Sequence, residues 1–174
     1  LPATTLSDNC YAYMFAGTSL TTAPNLPATT LSDNCYWSMF QNCTSLTTSP
    51  ALPATTLYNS CYLAMFSGCT SLTTAPNLPA TTLLNDSYKN MFRNCALTSA
   101  PRLEHVTSIG AGALKNMFYI CPLINEIYAP NVTTWDTSNS TDWLYRVAAS
   151  GTLHKPTNLT IPTNSTSGVP SGWT

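Results

Sequence analysis

The hexapeptide Leu-Pro-Ala-Thr-Thr-Leu begins at Leu1, Leu26, Leu52 and Leu78, in steps of 25, 26 and 26 residues. A unit of that length cannot bury its own apolar face, so the units must stack into a quasi-one-dimensional array in which each covers its neighbour. Met-Phe keeps the same beat at Met14-Phe15, Met39-Phe40, Met65-Phe66, Met91-Phe92 and Met117-Phe118. A fifth unit beginning near Leu103 therefore follows the four marked by the hexapeptide. These ten residues are the expected core columns.

Within a unit the reading is strand, turn, short helix, turn. Leu31, Cys35 and Met39 are spaced i, i+4, i+8 with Tyr36 and Phe40 beside them, which predicts one apolar stripe of a short helix. Thr30, followed three residues later by Asp33, reads as a variant capping box at its start. Ser45-Leu46-Thr47-Thr48 has the β-branched alternation of a short strand, and Pro50 and Pro53 mark extended turn backbone after it.

The seven cysteines fall into two more columns, Cys10, Cys35 and Cys61, and Cys43, Cys69, Cys95 and Cys121. Ser87 stands in the first column and Thr18 in the second, so volume matters more than sulfur. Buried free thiols are expected, with a single disulfide in an oxidising compartment as the alternative. No metal-type pairing of Cys or His occurs, and no metal or cofactor is expected.

The repeats resemble the BspA-like leucine-rich repeats of bacterial surface proteins, in the variant with a Leu-Pro-Ala-Thr-Thr-Leu opening and a Tyr-x-x-Met-Phe centre. Val106-Thr107-Ser108-Ile109-Gly110, then Met117-Phe118, Cys121, Ile124, Ile127 and Pro130, are similar to that family's usual form. The resemblance implies an α/β repeat fold, a right-handed leucine-rich-repeat solenoid of about five 25–26-residue units over residues 1–132. Residues 133–174 have lost the landmarks, and Gly168-Val169-Pro170-Ser171-Gly172-Trp173 resembles the closing segment of similar proteins from gut bacteria and their phages. This segment is expected to be a C-terminal cap, with Trp135, Trp143, Leu144, Tyr145 and Val147 covering the last rung; a separate ligand-binding tail is the alternative. The location implied is extracellular, on a cell surface or a phage particle.

Charged residues make up only 7% of the chain and the net charge is -1, so solubility rests on Thr, Ser and Asn, and nucleic acid is not an expected partner. A surface of hydroxyls and amides suits neutral partners such as glycans. No apolar run approaches the roughly 20 residues that cross a bilayer, so direct membrane insertion is not expected. The chain opens on neither a charged nor an apolar export segment, and its start reads as a cut edge. The two histidines, His105 and His154, and the seven acids are scattered singly, and Asp8 and Asp33 read as helix-start carboxylates. An enzyme is not expected.

Columns that change from unit to unit should point outward: Ala12, Trp37, Leu63, Lys89; Tyr13, Ser38, Ala64, Asn90; and Ala16, Gln41, Ser67, Arg93, Tyr119. Tyr13, Trp37, Lys89, Arg93 and Tyr119 are the expected ligand-binding residues, an aromatic and cationic ridge, set against simple drift of an unconstrained surface. The invariant column Tyr11, Tyr36, Tyr62 and Tyr88 reads as core or core edge. Thr21-Thr22, Thr47-Thr48 and Thr73-Thr74 should align as hydroxyl ladders, a second face, which invites comparison with ice-binding arrays but equally suits ordinary strand surface.

The expected function is adhesion or recognition, non-catalytic, with a glycan or a host-surface protein as partner. The alternative is a structural fibre or self-assembling filament segment, formed by end-to-end stacking through the uncapped N-terminal edge.

Overall fold

A computed structural model describes residues 1–164, 166 and 168–174 of the chain. Successive repeats lie one above another as rungs, in parallel register, joined by backbone hydrogen bonds between residues 24 to 26 positions apart, such as Tyr11 N–H to Cys35 O at 2.9 Å and Phe66 N–H to Met91 O at 3.0 Å.

The segment expected to be helical is not. From Asn34 to Cys43 alternate amides go to different places: those of Asn34, Tyr36, Ser38, Phe40 and Asn42 cross to carbonyls of the next rung at 2.7–3.0 Å. Those of Cys35, Trp37, Met39, Gln41 and Cys43 turn back three residues, at 3.0–3.3 Å. A helix would bond all its interior amides within its own run and leave none for the neighbouring rung. The alternation requires a left-handed backbone at every fourth residue, met here by Asn34, Ser38 and Asn42 at φ 57°, 52° and 60°. The same three positions recur in each of the first five rungs, as Asn9, Tyr13 and Gly17 or Asp86, Asn90 and Asn94, and Asn, Asp and Gly are the residues that tolerate this conformation best.

This corrects the expected α/β repeat: the units are not a leucine-rich-repeat solenoid of short strand plus short helix. Among the described residues the helical element is one 3-10 turn, Thr137–Asn139. The period of four that Leu31, Cys35 and Met39 display belongs to the turn run itself, and it lies close enough to 3.6 to imitate a helical stripe. Nor does Asp33 cap a helix: its carboxylate accepts the Asn59 amide of the next rung at 2.9 Å, as Asp8 accepts the amide of Asp33 at 3.2 Å.

Strand structure is equally sparse. β1 (Thr82–Leu83) pairs in parallel with β2 (Ser108–Ile109), and β3 (Glu126–Tyr128), β4 (Ser150–His154) and β5 (Gly172–Trp173) form a parallel three-stranded sheet in that order. Outside these strands the pairing is reduced to single parallel bridges, Thr5 to Thr30, Thr22 to Thr48, Thr56 to Thr82 and Thr163 to Val169.

Stacking continues past Val132 even though the sequence landmarks stop. The amides of Leu114, Asn116, Phe118 and Ile120 reach the carbonyls of Asn139, Thr141, Trp143 and Tyr145 at 2.8–2.9 Å, a sixth rung with left-handed residues at Asp142 and Arg146. Trp143 and Leu144 are buried at the positions of Met117 and Phe118. The Trp143 indole donates to the Gly168 carbonyl at 2.6 Å, and Trp173 donates to Ala148 at 2.9 Å, so both rings satisfy their polar atom.

The interior is a set of columns. Phe15, Phe40, Phe66, Phe92 and Phe118 stack at centroid separations of 5.6–5.9 Å with rings within 8° of parallel. Tyr11, Tyr36, Tyr62 and Tyr88 stack beside them at 5.8–6.1 Å. Met39, Met65, Met91 and Met117 are fully buried, whereas Met14, on the first rung, is 49% exposed and Phe15 is half-buried. The second cysteine column ties rung to rung: the thiols of Cys43, Cys69, Cys95 and Cys121 donate to the carbonyls of Phe15, Phe40, Phe66 and Phe92 at 3.0–3.1 Å. All seven cysteines are free; six are buried and Cys10 is exposed.

Candidate functional site

The side of the stack formed by the turn runs carries the expected ridge, and the structure resolves it into two parts. Tyr13 is 47% exposed and its ring lies against the half-buried Trp37 at 4.9 Å, tilted by 58°. Tyr13 and Trp37 come from different sequence columns. They meet because the crossing bond runs from Tyr13 N–H to Trp37 O at 2.8 Å.

The second part spans the fourth to sixth rungs. The Arg93 guanidinium lies 4.9 Å over the Tyr119 ring, Tyr119 stacks on Tyr145 at 4.8 Å, and Arg146 lies 5.5 Å from the Tyr145 centroid. Lys89, half-buried, pairs with Asp86 at 3.2 Å, and Lys115 occupies the equivalent position one rung on. Arg93 and Tyr119 thus meet, Tyr13 and Trp37 meet, and Lys89 pairs instead with Asp86.

Two of the columns expected to face outward do not do so throughout. Ser38 and Ala64 are buried, as is Ser67, whereas Tyr13 at the position of Ser38 and Ala64 is exposed. The tyrosine column is interior at Tyr36, Tyr62 and Tyr88, and burial pushes these phenols well above their ordinary titration range.

On the threonine face the Thr47 hydroxyl is engaged between rungs, and threonines at corresponding inter-rung positions behave alike. Thr47, Thr98, Thr107 and Thr133 each donate amide and hydroxyl to a single carbonyl of the preceding rung, that of Thr21, Thr73, Thr81 and Thr107 respectively. The hydroxyl protons of these four are thereby engaged in holding rungs together.

Sequence reasoning missed a third surface. Where the Thr22 and Thr48 positions continue into β3 and β4, an open polar groove of about 530 Å³ is lined by Asn125, Glu126, Ser150, Thr152 and Thr174, with Gly151 and Gly172. Beside it Tyr128 and His154 stack at 4.0 Å, and Glu126 accepts from the Tyr128 hydroxyl at 2.8 Å and pairs with His154 at 3.0 Å. Arg102 covers the other face of Tyr128 at 4.1 Å and donates to Glu104 at 2.8 Å. The Tyr128 bond, followed by that of His154, draws the Glu126 carboxyl below its usual range, and Arg102 does the same to Glu104. These groups face solvent, and Arg102 and Glu104 form an ion pair at 2.8 Å. No sequence signal marks them: they meet through the parallel pairing of 126–128 with 152–154, in a stretch where the landmarks that would reveal the register have faded.

Among the described residues, no group of three or more His, Cys, Asp or Glu side chains converges as a metal site would, and no helix is long and apolar enough to cross a membrane. No family model matches the chain, and neither a curated protein nor a solved structure matches it.

Proposed function

We propose that the protein is a non-catalytic recognition module, displayed outside a cell or on a phage particle, that binds a glycan of a host surface through the side chains of its turn-run ridge. The observation that carries this reading is the Tyr13–Trp37 pair: an exposed ring braced from beneath by a second ring 4.9 Å away. A braced aromatic loses little conformational freedom on binding and offers an apolar face to the C–H side of a pyranose. Neighbouring Ser, Thr and Asn side chains supply hydrogen bonds for hydroxyls. The rungs behind the ridge are fixed by backbone bonds at every second residue, so the array is preorganised and needs no cofactor. The likeness of the repeats to those of bacterial surface proteins supports the extracellular setting.

The test is a glycan array probed with the full chain and with Trp37→Ala and Tyr13→Ala, alongside light scattering over a concentration series. Saturable binding by a monomer, weakened about tenfold or more in both variants, supports the reading. Binding that survives both variants removes this site from it. Elongated polymers that grow with concentration and retain no glycan point instead to a fibre segment.

A further inference from the structure

We propose that the fourth to sixth rungs carry a second subsite on the same ridge, built for an acidic polysaccharide whose carboxylate or sulfate groups are held by Arg93 and Arg146. The inference rests on the glycan reading above and specifies the chemical class of ligand at a different set of residues.

Three observations point to it. The first is charge segregation. Lys89, Arg93, Lys115 and Arg146 are four of the six cationic side chains in the chain, and all lie in the turn runs of three consecutive rungs. Only Asp86 and Asp142, two of the seven acids, lie in those runs, and Asp86 is engaged by Lys89 at 3.2 Å. An otherwise slightly acidic protein therefore has one cationic strip.

The second is the order of the groups. Arg93, Tyr119, Tyr145 and Arg146 form a continuous stack, guanidinium on ring, ring on ring, and ring beside guanidinium. Rings that support a guanidinium fix its plane and leave its N–H edge facing solvent, the arrangement that binds an oxyanion through paired hydrogen bonds. Neither Arg93 nor Arg146 has a carboxylate partner among the ion pairs of the described residues.

The third separates polysaccharide from nucleic acid. Single-stranded nucleic acid is held by bases stacking on open aromatic faces. Tyr119 has one face under Arg93 and the other against Tyr145, so it offers no platform to a base. What remains at the surface is a row of N–H donors and phenol hydroxyls, which matches an anionic, hydroxyl-rich chain lying along the stack.

The experiment is affinity electrophoresis and titration calorimetry of the full chain with polygalacturonate, chondroitin sulfate, dextran and oligo-deoxythymidine. The expected result is retention by both acidic polysaccharides and not by dextran, weakened about tenfold on raising sodium chloride to roughly 0.5 M, where screening extends only a few ångströms. Arg93→Gln with Arg146→Gln should abolish retention. The charge-matched control, Arg102→Gln with Lys155→Gln, removes as many positive charges off the strip and should retain it, with circular dichroism confirming that both proteins fold. Equal loss in the two double variants, or tighter binding to oligo-deoxythymidine than to polygalacturonate, overturns the inference. Binding of neutral glycans alone, sensitive to Trp37→Ala, overturns it and leaves the glycan reading standing; failure to bind any saccharide removes both.

Discussion

The amide of Phe40 donates to the carbonyl of Met65, one rung away, at 2.9 Å. Met39, its neighbour, donates instead to Tyr36 at 3.2 Å, inside its own rung. Repeated along the run, this alternation makes each rung depend on the next for about half of its backbone hydrogen bonding, and it is what holds the ridge side chains at fixed spacing.

The left-handed positions give the sharpest test of that backbone. In a helix, Asn34→Ala would stabilise the chain by several tenths of a kcal/mol, because Ala is the better helix former. At φ 57° the same change should cost about 1 kcal/mol, while Asn34→Gly should be near neutral. Urea midpoints of the three proteins distinguish the two outcomes, and a rise in midpoint for Asn34→Ala would contradict the structure.

Phe66 has no exposed surface and sits between Phe40 at 5.6 Å and Phe92 at 5.7 Å. Truncation to Ala should cost about 3–5 kcal/mol, the range for a fully buried aromatic. Met14→Ala, at a position 49% exposed, should cost under about 1 kcal/mol although both residues belong to the same repeated pair. Equal losses would mean that the first rung is covered in solution.

Thiol labelling should separate Cys10 from the rest. Cys10 is exposed, and the other six are buried with no disulfide. A short pulse of maleimide under native conditions should modify Cys10 alone, and denaturant should release the remaining six, counted by mass spectrometry. Rapid native labelling at Cys61 or Cys69 would show that the rungs open.

Alkaline pH should weaken the fold. Burial pushes the thiols of Cys61, Cys69 and Cys121 up to about 12 and that of Cys35 up to about 11, against an ordinary value of 9.0. Unfolded thiols ionise first, so the stability is fully present below about pH 9 and is lost as pH rises toward 12, with the buried tyrosines adding in the same direction. Denaturation midpoints should be level from pH 7 to about 8.5 and fall beyond it; a flat profile to pH 11 would contradict the burial of these groups.

The stacking of the units was legible in the sequence because Leu26, Leu52, Leu78 and the Met-Phe pairs recur in phase and must share a core. Their local conformation was not. A spacing of four apolar residues fits a helix and a run of linked turns alike, and the discriminating residues were Asn34, Asn42, Gly68, Asp86 and Asn94, which stand at left-handed positions that a helix would not need. The ridge was half legible. Arg93 and Tyr119 showed as a varying column, but Tyr145 and Arg146 were hidden by the loss of Met-Phe, although Trp143-Leu144 stands 26 residues after Met117-Phe118, the repeat step itself. The Glu126–His154 network depends on strand register that sequence alone does not supply.

The central claim, recognition through the turn-run ridge, is tested most directly by hydroxyl-radical footprinting of the full chain with and without a saccharide it retains. Oxidation should fall at Tyr13, Trp37, Tyr119 or Tyr145 and stay unchanged at Tyr58, an exposed ring outside the ridge, and at Tyr128 beside the polar groove. Protection confined to Tyr58 and Tyr128, with the ridge rings oxidised as before, would contradict it.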